Sequence, residues 1–196
     1  MTTAPNHARQ NYNHIADDHD TWDSEHRSVS RRRFSLVSKL NGKVLEIGIG
    51  TGLNLEYYVE GVDLTGLDRD LSALKQAGLK VKTIPENRVK LLLANAEKLP
   101  FLDGTFDTVV GTFVFRSFDH PERVAHEIKR VLRPGGKFYI LDHHTREVVE
   151  TLENLGWAIH SRKESACEPD GRLVGQIVAL NPLFRHSGSV KIIRSR

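Results

Sequence analysis

The residues of this chain best suited to chemistry are three glycines at alternate positions, Gly48, Gly50 and Gly52. A short apolar run leads into them, and Glu46 stands two positions before the first glycine. Twenty residues beyond that glycine, a second apolar run ends in Asp68. Glycines let a turn of backbone approach a ligand closely, and a carboxylate after the next strand can bind ribose hydroxyls. The spacing therefore predicts a site for a nucleotide-like cofactor.

The third glycine separates this motif from the dinucleotide fingerprint G-x-G-x-x-G. That fingerprint needs a glycine where this chain has Leu53, whereas the third glycine here is Gly52. The difference argues against a pyrophosphate on a helix N-terminus, and hence against a nicotinamide-dependent oxidoreductase. The pattern E-x-G-x-G-x-G resembles instead the first motif of the class I S-adenosylmethionine (SAM) methyltransferases.

Three later segments also resemble motifs of that family, and they occur in the family's order. They are NAEKLPF at 95–101, FDTVV at 106–110 and LRPGG at 132–136. Together with the glycine motif, they extend the likeness over roughly residues 43–160. The closest resemblance is to the type 11 methyltransferases, which include ubiquinone and menaquinone C-methyltransferases, bacterial phosphatidylethanolamine N-methyltransferases and thiol methyltransferase-like proteins.

The resemblance implies SAM as the methyl donor and S-adenosylhomocysteine as its product. In this family the acidic residue of the glycine motif orients the methionine end of SAM, and the carboxylate after the second strand binds the ribose. Asn95 stands where the family usually has Asp, but its amide oxygen can still accept a hydrogen bond from the adenine amino group. The predicted cofactor-binding residues are Glu46, Gly48, Gly50, Gly52, Asp68, Arg69, Asn95, Ala96, Glu97, Thr112 and Phe113.

Histidines are the candidates for a general base. The sulfonium of SAM is an excellent leaving group, so the protein mainly aligns the reactants for an in-line displacement. A base is needed only where the acceptor is protonated at neutral pH. His143 and His144 follow the fifth predicted strand, and His14 and His19 lie in the N-terminal segment. Residues 12–20 resemble the family's entry segment, which closes over the cofactor, with His19 in place of the usual Tyr.

The elements that must position these residues alternate between strands and helices. Strands are predicted at 43–48, 63–68, 89–93, 106–113, 137–141, 157–161 and about 173–180. Helices are predicted within 6–40, from 53 to 58, at 70–77 where Gly78 closes the helix, from 121 to the Pro-Gly-Gly at 134, and at 145–155. This alternation predicts an α/β fold, a parallel sheet with helices on both faces. The short turn at 168–171 predicts that the last two strands are antiparallel. The resemblance implies a Rossmann-like, seven-stranded class I methyltransferase sheet with one antiparallel strand near an edge.

The length of 196 residues suits a single domain. We predict a helical lid or substrate segment at 1–41, a core at 42–182 and a basic tail at 183–196. No apolar run approaches the ~18 residues of a membrane span, and the N-terminus has no apolar signal core. Cys167 is the only cysteine, which excludes an internal disulfide and a cysteine-based zinc cluster, and no metal site is predicted. A cytoplasmic location is the expectation.

The charge distribution does not favour a nucleic-acid partner. The formal net charge is +3, but the tail alone contributes four basic residues and no acid. A second basic cluster, Arg31, Arg32 and Arg33, is offset by acidic residues upstream, and we interpret it as a solvent-exposed face. Peripheral contact with a membrane remains open, and the sequence does not indicate an oligomeric state.

The sequence therefore predicts a SAM-dependent methyltransferase acting on a small-molecule, lipid or quinone-type acceptor. One alternative is a peptide, protein or tRNA acceptor, although residues 111–114 lack the Asn/Asp-Pro-Pro-aromatic motif of nucleic-acid amino-methyltransferases. Another is a non-catalytic SAM-binding regulatory protein. A polyamine synthase fits poorly, because those enzymes need additional acidic residues after the fourth strand.

Overall fold

The computed structural model describes residues 27–82, 89–143, 145–166 and 173–182. Its strands are β1 (Lys43–Ile47), β2 (Asp63–Asp68), β3 (Val89–Leu93), β4 (Phe106–Thr112), β5 (Leu132–Asp142), β6 (Ala158–Ala166) and β7 (Leu173–Leu180). Its α-helices are α1 (Arg27–Val37), α2 (Leu71–Val81), α3 (Pro121–Val131) and α4 (Thr145–Asn154). Two short 3₁₀ turns lie at Leu55–Tyr57 and Phe115–Ser117.

The strands form one seven-stranded sheet in the order β3-β2-β1-β4-β5-β7-β6. The first five strands are parallel, and β7 runs antiparallel between β5 and β6. Four of the five residues of β1 are buried, as expected for a central parallel strand covered on both faces. The predicted α/β fold, its seven strands and the antiparallel strand near one edge are confirmed.

Helices cover both faces of the sheet. Neighbouring residues of β1 point to opposite faces, and Val44 and Leu45 accordingly belong to two different hydrophobic clusters. Val44 packs in the cluster that contains Leu36 of α1 and residues of α2. Leu45 packs in the cluster that contains Ile128 of α3 and Leu152 of α4. Glu46 points to the same face as Val44, so α1 lies over its side chain.

Several predicted boundaries require correction. The helix predicted at 53–58 is only the 3₁₀ turn Leu55–Tyr57, after which Tyr58 is extended. Helix α2 does not end at Gly78 but continues to Val81, because Gly78 keeps a helical backbone and does not adopt the positive φ of a C-terminal glycine cap. Strand β5 begins at Leu132 rather than at 137, since residue 132 already pairs with β4, and β6 extends to residue 166.

The predicted bounds of β2, β3 and β7 are confirmed, and β1 and β4 each end one residue earlier than predicted. The N-terminal segment is described only from residue 27 onward, where α1 accounts for part of the predicted 6–40 helices. The rest of the predicted lid, His14, His19, His144, Cys167 and the tail at 183–196 lie outside the described residues. Among the described helices, none is both long and apolar enough to cross a membrane.

Candidate functional site

The glycine turn connects the end of β1 to the rest of the site. Gly48, Gly50 and Gly52 all have positive φ angles, of 64°, 57° and 81°, which other residues adopt only with strain. A Cβ at Gly48 would lie 2.2 Å from the side chain of Val114, whereas a Cβ at Gly50 would meet nothing within 4 Å. The turn therefore leaves open space beside Gly50, where a ligand can approach the backbone.

Asp68 at the end of β2 is held by two backbone amides. Its Oδ2 accepts a hydrogen bond from the N–H of Gly50 at 2.8 Å, and its Oδ1 accepts one from the N–H of Asp70 at 2.9 Å. Asp70 in turn caps the N-terminus of α2. Each carboxylate oxygen retains a lone pair, so Asp68 is fixed in place and can still accept hydrogen bonds from a vicinal diol.

A cleft of about 660 Å³ opens next to this carboxylate. The predicted cofactor residues among its lining are Gly48, Asp68, Arg69, Asn95, Ala96 and Glu97. The remaining lining includes Val114, Phe118 and Asp119 from the segment after β4. Arg69 forms an ion pair with Asp119 at 3.1 Å, which joins the two walls of the cleft. The size and the mixed polar and apolar lining suit a nucleoside.

Asn95 uses its side chain to stabilise the turn after β3. Its Oδ1 accepts a hydrogen bond from the N–H of Glu97 at 2.9 Å. The same turn is held against α3 by Glu127 and Arg130. Glu127 accepts from the N–H of Leu99, and Arg130 donates to the carbonyls of residues 99 and 101. The cleft wall formed by this turn is therefore fixed by side chains that lie outside the cleft.

A buried polar network lies on the opposite side of the glycine turn, beneath α1. Asn54 Nδ2 donates to Glu46 Oε1 at 2.7 Å and to Thr112 Oγ1 at 3.0 Å. Tyr58 donates its hydroxyl to the other oxygen of Glu46 at 2.8 Å. Arg33 donates to Asn54 Oδ1 at 3.1 Å and to Thr112 Oγ1 at 2.6 Å. Both lone pairs of the Thr112 hydroxyl are thus occupied, which leaves its O–H as a donor.

Burial gives Glu46 an unusual pKa. The side chain is 1% exposed, and this desolvation raises its pKa from 4.5 to about 7, although hydrogen bonds from Tyr58 and Asn54 and the charge of Arg33 oppose the rise. Relative to the unfolded chain, the folded protein therefore favours the protonated form of Glu46. The stability that protonated Glu46 contributes is fully present below pH 4.5 and is lost as the pH rises through about 7.

An aromatic pair marks the ends of β4 and β5. Phe113 follows β4 with a φ of +54°, and its ring centroid lies 4.9 Å from that of His143. The guanidinium of Arg33 lies 4.8 Å from the same Phe113 ring centroid. Asp142, which is 2% exposed, accepts hydrogen bonds from the backbone N–H groups of His143 and Phe115. The position of His143 is thus set by a buried carboxylate and an aromatic neighbour.

The structure divides the predicted residues between two neighbouring regions. Those of the nucleoside cleft converge on one side of the glycine turn, and Glu46, Thr112 and Phe113 converge on the other. Sequence reasoning did not identify Asn54 and Tyr58 as site residues, although both lie in the segment after the glycine turn. It also misinterpreted Arg33, which is 7% exposed and buried in the network rather than part of a solvent-exposed face.

Comparisons with known proteins point to one family. The model of the methyltransferase domain family matches residues 45–140. A phosphatidylethanolamine N-methyltransferase of Cereibacter sphaeroides is 41% identical over 141 residues, which cover 66% of this chain and 70% of that protein. A thiol S-methyltransferase of Homo sapiens is 35% identical over 130 residues, which cover 61% of this chain and 52% of that protein. The chain thus spans about half the length of the second relative.

A solved structure shares the fold of this chain. A Haloferax volcanii complex that contains the Trm112 methyltransferase activator includes a chain that matches with a TM-score of 0.75 and 18% identity. The match covers 91% of this chain and 99% of that one. At this level of identity, the likeness concerns the fold alone.

Proposed function

The chain belongs to the family of methyltransferase domains, and on that premise we propose that its methyl acceptor is a small amphiphilic molecule of the lipid, quinone or thiol kind. The protein is a SAM-dependent methyltransferase, and S-adenosylmethionine is its methyl donor. The nature of the acceptor and the roles of individual residues are the proposal.

The residues around the glycine turn fit this donor. The open space at Gly50 admits a ligand close to the backbone, and the fixed carboxylate of Asp68 suits the two hydroxyls of a ribose. Asn95 and Ala96, which line the cleft, would hold the adenine. Glu46, in the buried network beneath α1, would face the cationic amino-acid end. When bound, the donor supplies an activated methyl group on a sulfonium, so the chain has mainly to orient the acceptor and exclude water.

The observation that carries the acceptor proposal is the group of side chains where β4, β5 and β7 meet. Phe113 and His143 form an aromatic pair there, and Leu173 is 53% exposed beside them. Apolar and aromatic groups with one titratable imidazole suit an acceptor that has an apolar body and a single protonated nucleophilic atom. The names of the relatives, which specify a phospholipid amine and a thiol, are consistent with this class.

His143 is the residue that we propose as the general base. Its Nδ1 lies 3.3 Å from the carbonyl oxygen of Leu173, which favours the neutral tautomer that carries its proton on Nδ1 and leaves Nε2 unprotonated. That nitrogen can accept the proton of the acceptor. His144, His14 and His19 remain alternative candidates.

Replacing this imidazole tests its role. We expect His143→Ala to lower the rate of methyl transfer by about 10²-fold or more, the usual effect of losing a general base, with S-adenosylhomocysteine affinity unchanged. His126→Ala, which alters an exposed histidine on α3, is the matched control and should retain the full rate. A full rate in the His143 variant would show that another group, or none, acts as the base.

The acceptor class is tested by transfer of a radiolabelled methyl group from SAM. The panel contains phosphatidylethanolamine vesicles, an alkyl thiol, a quinol, a peptide mixture and tRNA. We expect label in one of the three amphiphilic acceptors. Label only in the peptides or the tRNA would contradict the proposal, and binding of SAM without transfer to any acceptor would favour a regulatory protein.

Two broader predictions stand beside the acceptor proposal. We propose a single domain with a lid or substrate segment at 1–41, a core at 42–182 and a basic tail at 183–196. We also propose a cytoplasmic location, which immunofluorescence or cell fractionation of the tagged full chain would test.

A further inference from the structure

Arg33 is a buried cation at the centre of α1. It lies between Arg32, which reaches the carbonyl of Val174, and Phe34, which is 57% exposed. Only 7% of Arg33 is exposed. Burying a guanidinium is costly unless other groups compensate, so the side chains around it must satisfy its charge and its donors.

The contacts of Arg33 fix the orientation of Asn54. Arg33 Nη1 donates to Asn54 Oδ1, so the amide must present its oxygen to the helix and its NH₂ group to the opposite side. There the NH₂ group donates to Glu46 and to Thr112. In the reversed orientation, the NH₂ group would face the guanidinium and the carbonyl oxygen would face the carboxylate. Arg33 thus determines that Glu46 receives a hydrogen-bond donor.

The charge of Arg33, like the hydrogen bond from Asn54, lowers the pKa of Glu46. Among the described residues, four groups act on the Glu46 carboxyl: Tyr58 and Asn54 from the segment after the glycine turn, Arg33 from α1 and Asp68 from β2. Burial and the charge of Asp68 raise the pKa of Glu46, whereas the other three groups lower it. The resulting value of about 7 means that a change in any one of them alters the charge of Glu46 at neutral pH.

We propose that Arg33 is a positioning residue of the methyl-donor site, which acts through Asn54 to favour the ionised form of Glu46 for the cationic amino-acid end of the donor. This proposal depends on the donor and on the placement of Glu46 beside its ammonium group, and it is independent of the acceptor. Glu46 would touch the donor, and Arg33 would not.

The proposed role of Arg33 predicts the direction in which ligand affinity changes with pH. A ligand with an ammonium group binds better to the carboxylate than to the protonated acid, so its affinity should rise as the pH increases through about 7. Loss of Arg33 removes a positive charge and releases Asn54, and both changes raise the pKa of Glu46. The pH midpoint for binding should therefore move upward by about one unit.

Calorimetric titration of the full chain with S-adenosylhomocysteine, between pH 6 and pH 9, measures this midpoint. 5′-Methylthioadenosine serves as the ligand control, because it contains the adenosine but lacks the amino-acid end. The variants are Arg33→Met and Arg33→Lys, with Arg31→Met as a matched control on the exposed face of the same helix. Because the readout is binding, it does not require a known acceptor.

We expect Arg33→Met to weaken S-adenosylhomocysteine binding about fivefold at pH 7, to move the midpoint upward, and to leave methylthioadenosine binding unchanged. Arg33→Lys retains the charge but not the guanidinium fork, so it should return the midpoint most of the way toward the value of the unmodified protein. Arg31→Met should have no effect. Equal loss of both ligands in Arg33→Met, or an unmoved midpoint, would overturn the proposal.

A second variant covers the case in which Arg33→Met does not fold. Tyr58→Phe removes the other hydrogen-bond donor to Glu46 and changes no residue of α1, and it should move the pH midpoint for binding upward as well. An unmoved midpoint in this variant would show that Glu46 does not control binding and would overturn the inference. If the unmodified protein bound methylthioadenosine but not S-adenosylhomocysteine, the placement of Glu46 beside the amino-acid end would itself be wrong, whereas the acceptor proposal would be unaffected.

Discussion

At the scale of single residues, a comparison of Gly50 with Gly61 separates the effect of backbone strain from the effect of ligand contact. Gly50 and Gly61 both have positive φ angles, and a Cβ at either would meet nothing within 4 Å. Gly50 lies in the turn beside Asp68, whereas Gly61 lies near the beginning of β2, at the opposite end of the sheet. We expect Gly50→Ala and Gly61→Ala each to lower the free energy of unfolding by about 1–2 kcal/mol, the cost of a left-handed conformation. Only Gly50→Ala should also abolish binding of S-adenosylhomocysteine.

Chemical denaturation and calorimetry of the two variants check this expectation. The binding loss at Gly50 should greatly exceed its stability loss, since the added methyl group occupies the open space that the donor needs. Retention of full affinity in Gly50→Ala would mean that the donor does not approach the turn. Equal loss of affinity in Gly61→Ala would attribute the effect to backbone strain instead.

The residues of the nucleoside cleft could be predicted because they lie within short motifs. The three glycines lie in the turn after β1, Asp68 ends β2, and Asn95 and Ala96 lie shortly after β3; the parallel sheet brings the ends of those strands together. The network around Glu46 could not be predicted in this way. Arg33 and Thr112 are 79 residues apart and belong to no shared pattern. Within the run of three arginines, only helical spacing points to Arg33, which lies four residues after Val29 and three before Leu36 and so shares the buried face of α1.

At the scale of elements, α3 positions the turn that forms one wall of the cleft. Arg130 donates to the carbonyls of Leu99 and Phe101, to Asp103 and to Glu127, and Glu127 accepts from the N–H of Leu99. These partners raise the pKa of Arg130 and lower that of Glu127, so both groups remain charged in the physiological range. One residue on a helix thus anchors several residues of the loop that follows β3.

Removing this anchor should loosen the cleft wall. We expect Arg130→Met to lower the free energy of unfolding by about 2–3 kcal/mol, because several charge-assisted hydrogen bonds to the loop are lost. It should weaken S-adenosylhomocysteine and methylthioadenosine equally, since both contain adenine, with little change in turnover at saturating SAM. Arg146→Met on α4 removes an exposed i,i+4 ion pair and should cost less than about 0.5 kcal/mol. Unequal loss of the two ligands would assign Arg130 a role beyond the adenine wall.

Most strands and helices could be predicted from alternating patterns, and the exception lies beside the site. The segment after the glycine turn was predicted to be a helix at 53–58, but it forms only a 3₁₀ turn. Asn54 and Tyr58 direct their side chains inward to Glu46, and Leu55 is buried. Tyr58 is extended so that the chain can return to β2 within a few residues. Local helix preference is overridden here by tertiary contacts that the sequence pattern does not contain.

At the scale of the whole molecule, the order of the strands explains where the site lies. The chain passes from β1 to β2 and β3 on one side, then returns to β4 on the other side of β1. The crevice at the carboxyl ends of β1 and β4 is the switch point at which open α/β sheets bind ligands. The glycine turn follows β1, Thr112 ends β4, and Phe113 follows it. The site thus follows from the topology, and α1 adds a cover over one side of it.

The lid role proposed for the N-terminal segment can be tested by truncation. All buried core residues among those described lie between Val29 and Ala179, so deletion of residues 1–25 removes none of them. We expect the truncated protein to remain folded, with a melting temperature within about 5 °C of that of the full chain. It should still bind methylthioadenosine, but it should no longer transfer methyl groups, because the predicted lid that orients the acceptor and excludes water is absent.

Deletion of residues 183–196 shortens the chain at its other end and should preserve transfer. Unchanged transfer in the N-terminal truncation would refute the lid, and loss of transfer in both truncations would make the effect nonspecific. A loss confined to the N-terminal truncation would place acceptor recognition in the segment that precedes α1.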